Sequence, residues 1–118
     1  MRFMVLYKPG KEDFAFPPPA EMGKLIDEMT RAGVFLETDG LRPSSEGARL
    51  RISGRTCTVT DGPFAETKEL IAGYAVLRVT SKAEAIDWAK RFLTLMGEGE
   101  SEVRRMFDRE DLELANRQ

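Results

Sequence analysis

The side chains able to do chemistry in this chain are carboxylates, amines, guanidiniums, phenols and hydroxyls, because it contains no histidine. Histidine is the commonest general base near neutral pH and the commonest metal ligand. Its absence excludes Ser-His-Asp and Cys-His catalysis and His-based zinc or haem sites. The groups that remain concentrate in the middle of the chain. Asp61 opens the run Asp61-Gly62-Pro63-Phe64, which reads in two ways. As a tight turn, Asp bonds its own backbone, Gly tolerates positive φ and Pro fixes the next φ. As a site, the turn holds Asp61 at a cleft edge as a catalytic base or ligand contact, with Phe64 as an apolar wall.

Other polar groups flank that run. Glu66-Thr67-Lys68-Glu69 is either a solvated loop or a source of a carboxylate, a hydroxyl and an amine. Acids beside Lys68 hold it charged, which suits anion binding more than base work. Arg49 and Arg51 alternate along one strand and Thr56, Thr58 and Thr60 along the next. Such a face either looks into solvent or grips a carboxylate or phosphate with its guanidinium forks. Tyr7 and Tyr74 lie on strands expected to face the space between two sheets, where a phenol packs or donates a proton. Cys57 alternates with Val59, which predicts an inert, buried thiol. No run of carboxylates resembles a calcium loop, and no cofactor is expected.

The elements that must position these groups follow from hydrophobic periodicity. Arg2–Lys8 reads as a strand with apolar residues on both faces. A proline-rich loop with Phe14 and Phe16 follows, and Pro17-Pro18-Pro19 opens a helix reaching about Ala32. Met22, Leu25, Ile26 and Met29 make its apolar face, and Gly33 stops it. Residues 34–38 form a second strand, turned by Asp39-Gly40, and Pro43-Ser44-Ser45 loops out. Ala48, Leu50 and Ile52 alternate with arginines, and Cys57 and Val59 alternate with threonines, across a break at Gly54. That predicts a hairpin of two half-exposed strands.

Residues 70–79, with Gly73 inside, read as a central strand covered on both faces. Ser81 and Glu84 have capping-box spacing ahead of a helix whose core face is Ile86, Ala89, Leu93 and Met96. Residues 102–107 make a last strand, and residues 108–118 a polar tail of a turn or two of helix. The order predicts an α+β chain on a ferredoxin-like βαββαβ plan with one hairpin elaborated. Two helices cover one face of such a sheet. Its other apolar face asks for a second sheet from a partner copy, a homodimer.

At 118 residues with 42% apolar and 32% charged side chains, one globular domain over residues 1–107 is the expectation. A net charge of −2 gives no field to hold a polyanion, so nucleic acid is not an expected partner. Residues 98–113 hold seven acids against three arginines, an acidic C-terminal quarter. The apolar start, residues 3–7, is shorter than the ~7 residues of a signal core or the ~18 of a membrane span. With a lone cysteine, the expected setting is cytoplasmic, away from membranes.

One stretch carries a family likeness. Residues 59–69, reading Val-Thr-Asp-Gly-Pro-Phe-Ala-Glu-Thr-Lys-Glu, followed by Gly73-Tyr74, closely resemble the signature of the DGPF subfamily of YCII-related proteins. Supporting pieces run from Phe3-Met4-Val5-Leu6-Tyr7 through Ala32-Gly33-Val34 and Gly40-Leu41-Arg42-Pro43 to Glu102-Val103-Arg104. The resemblance implies a ferredoxin-like fold that pairs into a dimeric α+β barrel. It also implies a setting beside extracytoplasmic-function sigma factors. In some YCII-like relatives it implies lyase-type or dehydrochlorinase chemistry through a His-Asp pair, for which this chain has no histidine.

Two functions are carried forward from the sequence. In the first, a small anionic organic ligand lies between the sheets of a homodimer, near Asp61, Lys68, Arg49, Phe64 and Tyr74, with lyase- or hydrolase-type catalysis as its enzymatic form. In the second, the chain is a non-catalytic module that docks a regulatory protein.

Overall fold

The computed structural model describes residues 1–10, 19–65 and 70–117. In chain order the elements are β1 (Arg2–Lys8), α1 (Glu21–Arg31), β2 (Phe35–Gly40), a 3₁₀ turn (Ser44–Glu46), β3 (Ala48–Ser53), β4 (Thr56–Asp61), β5 (Gly73–Arg78), α2 (Lys82–Met96), β6 (Glu100–Arg105) and α3 (Arg109–Asn116). Phe14, Phe16 and the helix-opening Pro17 and Pro18 lie outside the described residues.

Four strands form one sheet in the order β2-β5-β1-β6, every pair antiparallel. This order, with a helix after β1 and another after β5, is consistent with a ferredoxin-like plan. The reason the sheet buries one face is its alternation. Phe3 sits opposite Leu77 and Val5 opposite both Ala75 and Val103, and these residues pack against Met22, Leu25 and Met29 of α1 and Ala85 and Ala89 of α2. Met29 and Leu77 are fully buried. Both helices therefore lie on this one face.

Several boundaries differ from the sequence expectation. β2 runs on to Gly40, so Asp39 and Gly40 pair with Tyr74 and Gly73 instead of turning. β5 starts at Gly73, where a Cβ would stand 3.1 Å from the Asp39 carbonyl. Along α2 the core face is Ala85 and Ala89 with Trp88, Phe92, Leu95 and Met96, while Ile86 and Leu93 are half-buried at its flank. Small alanines let this helix sit close to the sheet, so the larger Ile86 and Leu93 do not mark the contact line. Ser81 caps α2 as expected, its Oγ accepting from the Glu84 N–H at 3.1 Å. Glu84 instead accepts from the N–H and hydroxyl of Thr80, which lowers its carboxyl below the ordinary value.

The C-terminal segment forms α3, tied back to β1 by Arg2, whose Nη2 donates to the Phe107 carbonyl at 2.7 Å and whose Nε pairs with Asp108 at 3.2 Å. Among the described residues no helix is long and apolar enough to cross a membrane.

Candidate functional site

The second sheet is a two-stranded arm, β3 paired with β4. Gly54, at φ +61°, opens the two-residue loop at its tip, as a tight hairpin of right-handed twist requires. All twelve residues of the two strands are exposed, not half-exposed as the alternation suggested. The cause is that, among the described residues, no other element covers the arm's apolar face. Cys57 shares that face and is an exposed free thiol, a correction to the buried one expected.

Antiparallel register assigns each side chain to a face, because directly opposed residues share one. Arg49 stands opposite Thr60, and Arg51 opposite Thr58. One face of the arm is thus guanidinium and hydroxyl. The other carries Leu50 opposite Val59 and Ile52 opposite Cys57, with Leu50, Ile52 and Val59 exposed by 66, 76 and 60%. Asp61, opposite Ala48, belongs to this apolar face, not to the face of Arg49.

The Asp61-Gly62-Pro63-Phe64 run is the clamp at the arm's base. The Gly62 N–H donates to the Gly47 carbonyl at 3.0 Å, and the Phe64 N–H donates to Ser44 Oγ at 3.0 Å. Gly62 is not in the positive-φ region. What requires glycine there is space: a Cβ would stand 1.7 Å from the Ser44 carbonyl oxygen. The Gly62-Pro63 bond is cis. The Arg49 guanidinium lies over the Phe64 ring, 4.1 Å from its centroid, a cation–π contact that holds the fork in place.

Tyr74 lies on the other sheet, on the face away from the helices, opposite Leu6 of β1 and Asp39 of β2. Its hydroxyl donates to the Glu37 carboxylate. That hydrogen bond, with desolvation and the charges of Glu37 and Asp39, raises the phenol's pKa above its ordinary 10.0. A register shift between Phe35 and Glu37 makes the meeting possible. Without the bulge, Glu37 would oppose Ala75 and face the core; one extra residue re-aims it across the sheet.

Tyr7, expected beside Tyr74 in an intersheet space, instead follows Phe3 and Val5 onto the helix side. Its hydroxyl donates to the Glu98 carbonyl at 3.0 Å, and burial raises its pKa.

Of the residues singled out in the sequence, Arg49 and Phe64 therefore come together, Asp61 is adjacent on the opposite face, and Tyr74 stands in the other sheet. Lys68, with Glu66, Thr67 and Glu69, lies outside the described residues. Among the described residues, arm and sheet meet at one end. The arm departs past the Gly40-Gly73 pair, one register position beyond Asp39 and Tyr74, and the Leu41 N–H donates to the Ala72 carbonyl at 2.7 Å there. Glu37, Asp39 and Ser44 escaped sequence reading. The only signal for the first two was their period-two spacing ahead of Gly40.

Elsewhere, a shallow groove of about 390 Å³ between α1 and α2 is lined by none of these residues. The Arg91 fork closes on the Glu28 carboxylate beside it at 2.9 and 2.5 Å and holds that carboxyl below its ordinary pKa. Among the described residues no three carboxylate or thiol groups gather to hold a metal ion.

Compared with known proteins, the chain is 44% identical over 50 residues to an uncharacterized protein of Rhizobium meliloti (strain 1021). The aligned part is 42% of this chain and 40% of that relative, so well under two thirds of the relative's length is spanned. The model of the YCII-related domain matches residues 1–108. That span takes in both sheets, α1 and α2, and so every element that builds the arm, its clamp and the Tyr74 face; the chain belongs to the YCII-related domain family.

Proposed function

We propose that this chain is a DGPF-type YCII-related protein that works as a cytoplasmic homodimer, its sheets paired as a dimeric barrel, and binds a small organic anion on the cationic face of its arm. The observation that carries the reading is the β3-β4 register, which sets Arg49 across from Thr60 and Arg51 across from Thr58. Two guanidinium forks and two hydroxyls on one face match the oxygens of a carboxylate or phosphate. The Phe64 ring beneath Arg49 limits the rotamer freedom lost on binding. Lys68 adds a third cation to this reading, and Tyr74 a phenol from the sheet end at which the arm is rooted. In an enzymatic form, of lyase or hydrolase type, Asp61 is the proposed base.

A thermal-shift screen of small carboxylates and organic phosphates tests this. A ligand at 100 times its dissociation constant raises stability by about 2.7 kcal/mol, and the shift should vanish in Arg49→Ala and Arg51→Ala. Asp61→Asn should keep the shift and lose any turnover. No hit across a broad library, or hits indifferent to both arginines, would sink the reading.

A second reading, a non-catalytic module docking a regulatory protein such as an extracytoplasmic-function sigma factor, is favoured by the exposure of Phe107, Leu112 and Leu114 at α3. Titration with a purified sigma factor of that class, repeated with Leu112→Asp, separates the two.

A further inference from the structure

We propose that the end of the sheet away from the arm is a second anion site, at which Arg2, Arg78 and Arg104 hold the phosphate group of a small phosphomonoester. The site goes beyond the arm reading and stands whether or not two chains pair.

Three strands carry an arginine to this end of the sheet. Arg2 opens β1 and Arg78 closes β5, directly opposite each other on the face away from the helices. Arg104 of β6 stands opposite Met4, one diagonal step from Arg2 on the same face. Opposed side chains root about 5 Å apart and diagonal ones about 7–8 Å, so the three guanidiniums are within reach of one oxyanion. Like charges set opposite each other destabilise a sheet unless something neutralises them. Arg78 is exposed, and among the described residues its guanidinium has no ion-pair partner. The acid nearest to it in register, Glu37, stands opposite Val76 and is engaged by the Tyr74 hydroxyl, on the far side of Val76 from Arg78.

Arg2 is held by Asp108 at 3.2 Å and by the Phe107 carbonyl at 2.7 Å, so one fork is oriented before anything binds. Arg104 touches Glu102 at 3.6 Å, a carboxylate it shares with Lys8, also at 3.6 Å. Arg2, Arg78, Arg104 and Lys8 thus face only Asp108 and Glu102, which leaves a surplus of two positive charges. A phosphomonoester brings about −1.5 to −2 near pH 7 and three acceptor oxygens, whereas a single carboxylate leaves one cation unmatched. Guanidinium forks suit phosphate oxygens in particular. The corner is accessible, the Arg104 side chain being 73% exposed. Arg2 and Arg78 end their strands, so a partner's sheet over the middle of this face leaves them at the mouth of the barrel, where small-molecule sites gather. The arm, rooted at the Gly40-Gly73 pair, stands about 17 Å away along β1.

The test uses the full chain carrying Arg49→Ala and Arg51→Ala, so that the arm cannot answer, titrated with phenyl phosphate in about 0.15 M salt, where diffuse attraction is screened. Amide resonances of Arg2, Arg78 and Arg104 should move together and saturate. Adding Arg78→Ala should weaken binding at least tenfold with unchanged circular dichroism, and adding Arg104→Ala severalfold. Acetate should bind at least tenfold more weakly than phenyl phosphate. Corner amides that do not move, or an affinity indifferent to Arg78→Ala, overturn the site, and acetate binding as tightly overturns its assignment to phosphate. Neither result touches the arm, whose carboxylate ligands are read in the wild-type chain through Arg49 and Arg51.

Discussion

The four-stranded sheet and the arm are written in the same period-two pattern, yet among the described residues only the sheet finds a cover within the chain. Phe3, Val5, Ala75 and Leu77 share one face of the sheet and disappear beneath two helices. Leu50, Ile52 and Val59 alternate as cleanly and stay in water. Alternation states which face of a strand is apolar; it does not say what lies on that face. The difference teaches where to look for function. Side chains of the sheet core are explained by stability alone, whereas the arm, with a cationic face, an apolar face and a clamped base, leaves every residue of its two strands exposed.

The strongest test of this contrast sets Leu77→Ala against Leu50→Ala in dilute protein. Truncating fully buried Leu77 should cost about 2–5 kcal/mol by urea denaturation. Leu50→Ala should stay within about 0.5 kcal/mol, as at other exposed sites. Equal losses would mean that the arm is buried by its own chain and would remove the contrast. A smaller effect is expected at the joint between the regions. Gly62→Ala forces a Cβ into the Ser44 carbonyl and should cost about 1–3 kcal/mol, the range for overpacking. Amide exchange should quicken at Gly62 and Phe64 but not in β1. Unchanged exchange there would show that the base of the arm is not clamped.

The smallest effect is a titration. Both tyrosines should ionise above 10.0, Tyr74 because its hydroxyl donates to Glu37 and Tyr7 because partial burial strips water from its hydroxyl. A raised native pKa favours the protonated form, so the stability from each phenol is fully present below pH 10.0 and fades as pH rises through the native value. In Glu37→Leu the tyrosinate absorbance of Tyr74 should return toward 10.0 while Tyr7 stays high. Movement of both would place Tyr7 and Tyr74 in one environment, contrary to their opposite sides of the sheet.

Much of this architecture is legible from single strands and helices. β1 spans the expected residues, the hairpin pairs Arg49 and Arg51 with threonines, and Ser81 caps α2, because each depends on neighbours close in the chain. What escaped depends on residues far apart. Gly62 is forced by Ser44 across the base of the arm, Glu37 reaches Tyr74 only through a bulge, and Ala85 sits against the sheet because the helix lies close. The site was legible in part for the same reason. Arg49 and Phe64 meet within one supersecondary unit, whereas the place of Tyr74 is settled by strand order.

The position of β1 in that order bears on how the protein is made. Of these six strands, β1 is made first and lies in the middle of the sheet, hydrogen-bonded to β5 on one side and β6 on the other, so both of its neighbours are synthesised some seventy to a hundred residues later. Pairing over such separations is slow and leaves strand edges open meanwhile. The arm is the opposite case, two strands joined by two residues, able to zip on the microsecond scale of hairpins as soon as Asp61 emerges. During translation the arm is therefore complete before the four-stranded sheet.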